Sequence, residues 1–127
     1  MKRLTVDVRP GEYSIAKLPP ASPLPTLPTS DGLVSITSTP DEVSVVSLTA
    51  IAPPAEKVDR GWRLLTVRGP LEFTLTGIMA SLAGSLAAAG VPLYAMSTFD
   101  TDHILVKASD LDRAVVALRE AGHEVHA

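Results

Sequence analysis

The chain has 127 residues, 46% of them hydrophobic and 20% charged, so it carries enough apolar material for one buried core and too little charge for disorder. Its 11 basic and 14 acidic residues give a formal net charge of −3, and aromatic residues are only 4%, so nucleic acid is not an expected partner. Cysteine is absent, which removes disulfides, thiol nucleophiles and thiolate metal sites, and no run approaches the roughly 18 apolar residues of a membrane span.

Met1-Lys2-Arg3 is followed by Asp7, Arg9 and Glu12 rather than by an apolar signal core, so a cytoplasmic protein is expected. Leu4, Val6 and Val8 alternate with Thr5 and Asp7, and Tyr13, Ile15 and Lys17 with Ser14 and Ala16, and the period of two predicts paired strands joined by a tight turn at Pro10-Gly11. Prolines at 19, 20, 23, 25 and 28 forbid a long helix or a central strand there and predict a loop. Leu33, Val34 and Ile36, then Val43, Val45, Val46 and Leu48, predict a hairpin turning at Thr39-Pro40-Asp41-Glu42. The stretch from Pro53 to Gly61 reads as a linker.

The second half is more regular. Trp62, Leu64, Leu65 and Val67 predict a strand ending at Gly69-Pro70. From about Leu75 to Ala89 the spacing of Ile78, Leu82, Leu86 and Ala89, with Met79, predicts a helix that stops at Gly90. Val91–Met96 and Ile104–Val106 read as two strands flanking a polar crossing, Ser97-Thr98-Phe99-Asp100-Thr101-Asp102-His103. A bare hairpin needs only a glycine or asparagine at its tip, so this cluster is either a solvated turn or a ligand-facing rim. Ser109 is placed to cap a second helix with Asp110 and Asp112 in its first turn and Leu111, Ala114, Val115 and Leu118 as its buried stripe. Ala121-Gly122 ends that helix before an edge strand at His123–His126.

From Trp62 onward the order is βαββαβ, which places two helices on one face of an antiparallel sheet. The fold class is therefore α+β and ferredoxin-like. The strand-rich N-terminal half is read as an abbreviated relative of the same unit, which divides the chain into residues 1–60 and 61–127.

Four segments carry a family resemblance: Gly61-Trp62-Arg63, Gly69 to Ile78, Ala88-Ala89-Gly90-Val91, and above all Ser97 to Val106. They resemble the ACT domain, a small regulatory module that binds amino acids, in its short tandem form. The Ser-Thr-Phe-Asp-Thr-Asp string is similar to segments of proteins built from repeated ACT units. In the first half, Gly11-Glu12-Tyr13 and Val34 to Thr37 with Thr39-Pro40-Asp41-Glu42 match more loosely. The resemblance implies a noncatalytic sensor with a free amino acid held near an interface with another ACT unit. Carried onto this chain, the ligand positions are Thr74, Leu75, Thr76, Gly77 and Ile78 at the helix entrance and Phe99, Asp100, Thr101 and Asp102 on the crossing.

The chemistry of those positions suits a zwitterion. Unpaired amides at a helix N-terminus attract an α-carboxylate, while Asp102 with the Thr98 and Thr101 hydroxyls can accept from an ammonium group. Plainer roles stand beside these: Thr74, Thr76 and Gly77 equally suit capping, Asp100 suits a turn, His103 points away from Asp102 along a strand, and Trp62 suits a core. His123 and His126 have no third ligand in sight, so no metal or cofactor is expected. No Gly-x-Ser-x-Gly, phosphate-loop or dinucleotide motif is present, so no enzyme activity is expected. A homodimer is expected, since exposed sheet edges favour pairing between copies, and the alternative to a sensor is a ligand-free module that only forms that homodimer or docks a metabolic enzyme or regulator.

Overall fold

Residues 3–28, 32–71 and 77–127 are described by the computed structural model. The strands are β1 (Thr5–Val8), β2 (Tyr13–Leu18), β3 (Ser35–Ser38), β4 (Val43–Leu48), β5 (Lys57–Val67), β6 (Tyr94–Ser97), β7 (Asp102–Lys107) and β8 (Glu124–His126). The helices are α1 (Ile78–Ala88) and α2 (Leu111–Glu120), and short 3-10 turns cover Thr49–Ile51 and Ala108–Asp110. These elements form two compact units, one of residues 1–10 with 63–127 and the other of residues 11–62.

In the first unit the strands run in the order β6, β7, β5, β1, β8. Alternation along each strand sends Leu4 and Val6, Leu65 and Val67, Ile104 and Val106, and Val125 to one face, where Leu82 and Leu86 of α1 and Ala114, Val115 and Leu118 of α2 complete a single core. From β5 onward this is the expected βαββαβ order. One strand is added: β1 lies between β5 and β8, antiparallel to the first with Val6 opposite Val67, and parallel to the second with Val6 opposite Val125.

That placement corrects the predicted β1–β2 hairpin. Arg9 donates its backbone N–H to the Leu64 carbonyl at 2.8 Å, so pairing with β5 continues through the region where a turn back was expected. Period-two alternation says which residues share a face, not which strand they pair with. The predicted linker is corrected as well, because Lys57 to Gly61 belong to β5 and pair with β2, Ala16 lying opposite Val58. Glycine signalled a break there, but Gly61, at φ +82°, sits where the β2–β5 register slips by one residue, so it marks a bulge within a strand. Ser109 does not cap α2 either: the N-cap is Asp110, which makes no side-chain bond to the helix amides and pairs instead with Arg113.

The second unit contains β2, β3, β4 and the first part of β5, with Ala16, Val43 and Val45 at its core and Leu18, Leu27, Ile36, Ala55 and Val58 packed on them. The β3–β4 hairpin is as predicted. Thr39 closes it, donating its N–H to the Glu42 carbonyl at 2.9 Å and accepting the amides of Asp41 and Glu42 on its hydroxyl. Leu27, from the proline-rich loop, is one of the packed residues. No α-helix occurs among this unit's described residues.

Both long helices end in the six-residue hydrogen-bonded closure expected after a C-terminal glycine. Val91 N–H bonds Leu86 C=O at 2.9 Å, and His123 N–H bonds Leu118 C=O at 3.1 Å. The second closure brings the His123 ring into the interior, 5% exposed, where Nδ1 accepts the Leu4 backbone N–H at 3.1 Å. The neutral ring therefore carries its hydrogen on Nε2, which is buried without a partner among the described residues.

Two stability predictions follow from this packing. Leu118 is fully buried, and Leu118→Ala should cost about 2–5 kcal/mol in a urea denaturation. Burial holds the His123 imidazole below its usual proton affinity, so the unfolded chain takes up that proton first as pH falls. The stability it contributes is complete above about pH 6.5 and declines as pH drops toward the folded-state pKa. His123→Asn keeps an acceptor for the Leu4 amide without a titrating ring. Its melting temperature should fall less than that of the wild type between pH 7.5 and 5.5, and an equal fall would refute the assignment.

Candidate ligand-binding site

The acidic crossing is a hairpin tip fastened to the end of β5. Thr98 N–H donates to Thr101 C=O at 2.8 Å, closing a tip made of Phe99 and Asp100. Two further bonds fix its position. Leu71 N–H donates to the Asp100 carbonyl at 2.6 Å, and the Thr101 hydroxyl donates to the Val67 carbonyl at 2.6 Å. The chains approach so closely that a Cβ on Gly69 would lie 2.9 Å from the Asp100 carbonyl oxygen and 3.1 Å from Thr101 Cβ.

The tip faces the start of α1. Gly77 is the N-cap, in the left-handed conformation at φ +77°, and as a glycine it offers the first-turn amides no capping side chain. No acidic residue stands in that first turn, so the partial positive charge of the helix end is not neutralised from within the helix. Between the helix end and the hairpin tip lies an open concavity of about 350 Å³, bordered by Leu71, by Gly77 to Ala80 of α1, and by Ser97 to Asp102 of the crossing.

Seven of the ten candidate residues, Gly77, Ile78, Thr98, Phe99, Asp100, Thr101 and Asp102, thus border one pocket. Thr74, Leu75 and Thr76 lie outside the described residues. Thr101 has its hydroxyl hydrogen committed to Val67, and Phe99 stands 79% exposed at the rim. The Asp102 carboxylate accepts the Ser97 hydroxyl at 2.6 Å, a cross-strand pair in register. Ser97 was not among the candidates, nor were Leu71, Met79 and Ala80. Counting back from a tip at Phe99-Asp100 puts Ser97 opposite Asp102, which is the signal that could have found it.

His103 points to the other side of β7, as strand alternation requires. Its ring is half-buried between the hydroxyls of Thr66 on β5, 3.0 Å from Nδ1, and Thr98, 3.4 Å from Nε2. Burial lowers its proton affinity, the neighbouring Asp102 carboxylate raises it, and Arg9 lowers it further. Among the described residues no lysine, arginine or histidine borders the pocket, and the charged side chains that do are Asp100 and Asp102. Chemically the site offers amide donors on one wall, carboxylate and hydroxyl acceptors on the other, and an apolar floor from Leu71, Ile78 and Met79. No group of three or more metal-ligating side chains occurs among the described residues, and none of their helices is long and apolar enough to cross a membrane.

The sequence model of the ACT domain matches residues 57–120, half of the chain, and a model of an N-terminal domain matches residues 11–53. The human cytosolic arginine sensor for mTORC1 subunit 1 is 41% identical over 59 residues, which are 46% of this chain and 18% of that protein. A crystal structure of an Agobacterium tumefaciens protein is 37% identical, with a TM-score of 0.89 over 98% of this chain and 93% of that one. The regulatory subunit of aspartate kinase from Thermus thermophilus, in a ligand-free form, has a TM-score of 0.61 at 11% identity over 95% of this chain and 99% of that one. This last likeness is one of fold.

The clamp at the end of β5 generates a prediction. Thr101→Val leaves the Val67 carbonyl without its donor and should cost about 1 kcal/mol. Gly69→Ala forces two backbones apart and should cost about 1–3 kcal/mol, with amide shift changes in NMR spectra centred on residues 97–102. Shift changes confined to residues 67–70 would show that the crossing is held by something else.

Proposed function

This chain belongs to the ACT domain family, and we propose that it is a noncatalytic sensor that binds a free amino acid and reports its occupancy to a partner. The observation that carries the reading is one pocket that has the N-terminal end of α1, capped by a glycine, on one wall and two carboxylates on the other. An α-carboxylate at the amides of α1 and an ammonium or cationic side chain at Asp102, with Asp100 nearby, would place each end of a dipolar ligand against its opposite charge. Two carboxylates, with no basic side chain among the described residues that border the pocket, favour a cationic amino acid. Similarity to the cytosolic arginine sensor makes L-arginine the first compound to try.

In this reading the N-terminal half is an abbreviated ACT-like unit and the C-terminal half the full one, with Leu4–Val8 serving as an extra strand. The occupied site borders a second ACT unit, which a homodimer would supply, and the protein works in the cytoplasm. The second reading, a ligand-free module that assembles with itself or docks a metabolic enzyme, is favoured by the 79% exposed Phe99 at the rim.

Isothermal titration with the standard amino acids separates the two. Binding should appear, and Asp102→Asn should weaken it by about tenfold or more, the scale of a lost charge-assisted hydrogen bond. Uniformly absent heats from a folded protein would leave the assembly reading. Sedimentation showing only a 13.3 kDa species at high concentration, with and without the amino acid, would remove the homodimer.

A further inference from the structure

We propose that His103 is a positioning residue for the amino-acid pocket, controlling whether the Thr98 hydroxyl can accept from a ligand ammonium and thereby making affinity depend on pH. This rests on the reading of the pocket as an amino-acid site. The ring stands behind the pocket wall, not in it, and its hydrogen-bond path to the pocket runs through Thr98.

The argument is a count of donors and acceptors. Thr98 Oγ1 has one hydrogen and two within-chain neighbours, His103 Nε2 at 3.4 Å and the Thr101 carbonyl at 3.2 Å. Assigning the neutral ring's hydrogen to Nδ1, where it is donated to Thr66, leaves Nε2 without one, so the single Thr98 hydrogen goes to the Thr101 carbonyl or to Nε2. Both lone pairs of the Thr98 oxygen then remain for a ligand N–H. With both ring nitrogens protonated, the ring donates to both threonines. Thr98 must turn its hydrogen to the Thr101 carbonyl, and one of its lone pairs is occupied.

The same protonation puts a cation beside Asp102, the carboxylate that would face the ammonium. The charged groups acting on the ring are Asp102, its neighbour on β7, and Arg9 beyond β1. The residues beside it from β5, β6 and the crossing, Thr66, Met96 and Thr98, are neutral. A bound ammonium opposes protonation of His103, so the complex binds that proton less readily than the free protein. Affinity is therefore full while the ring is neutral, weakens as pH falls through the free-state pKa, and levels off once the complex is protonated too. Burial sets that free-state pKa below the usual imidazole range.

The test is calorimetric titration at pH 7.5 and 5.5, with L-arginine first and then the other standard amino acids. The amino acid that binds at pH 7.5 should bind more weakly at pH 5.5, by about twofold or more. In His103→Gln its affinity should be the same at both pH values, while His123→Asn should keep the wild-type dependence. If the glutamine variant does not fold, His103→Asn serves in its place. By reciprocity, the His103 ring resonances should titrate at lower pH when that amino acid is present. Binding that is flat with pH in the wild type, or equally pH-dependent after His103→Gln, overturns this proposal alone. No binding of any amino acid at either pH overturns the sensor reading and this inference with it.

Discussion

The first unit depends on Leu4–Val8 lying between β5 and β8. A three-residue strand such as β8 cannot hold its place by its own few bonds, and its described pairing partner is β1. Without β1, the β5 edge and the whole of β8 would lose their backbone partners, and Leu4 and Val6 would be missing from the core. Leu4 serves three ends at once: its side chain is buried, its carbonyl accepts Glu124 N–H at 2.9 Å, and its amide donates to the His123 ring. A histidine at the residue after the α2 closure thus has a structural task, and its hydrogen-bond geometry is that of the neutral ring.

The same strand steadies the site from a distance. Arg68 donates its backbone N–H to the Thr5 carbonyl at 2.8 Å, and its guanidinium makes two bonds to Asp7, so β5 leaves the sheet at a defined point. The Arg68 hydrogen bond holds the Asp7 carboxyl below its ordinary pKa despite some burial. Residues 69–71 then pass against the hairpin tip and fasten it through Leu71 and Thr101. The acidic crossing is therefore closed by its own Thr98–Thr101 bond and positioned by one backbone and one side-chain bond to its neighbour. That leaves the Asp102 carboxylate bonded to Ser97 and turned toward the pocket. A rigidly placed acceptor opposite a helix N-terminus suits a binding role, because little ordering remains when a ligand arrives.

Thr98 is where the two sides of the crossing meet. It borders the pocket, yet its hydroxyl also reaches His103 on the far side of β7. Alternation along a strand separates Asp102 from His103, and a hydroxyl at the tip links them again. Such a link needs no moving part, since a change of proton on the ring alters only which lone pairs and hydrogens are available.

How much of this was legible in the residues follows from the range of each signal. The buried faces of α1 and α2, their glycine closures, the β3–β4 hairpin and the strands around the crossing are written in spacings of two to four residues, which a chain expresses locally. The acidic tip and the helix entrance were legible for the same reason, together with the family resemblance of those segments. Strand partners were not: nothing in Leu4 to Val8 says that it will pair with residues some sixty and a hundred and twenty positions away, and Gly61 looks the same in a bulge as in a linker. The sequence by itself determined which residues share a face and where helices stop. Only the tertiary structure decided that β1 enters the sheet beside β5, that Ser97 and Thr101 are bonded into the walls, and that Gly77 and Asp102 border one cavity, because pairing across the chain is set by which distant surfaces can bury and hydrogen-bond each other.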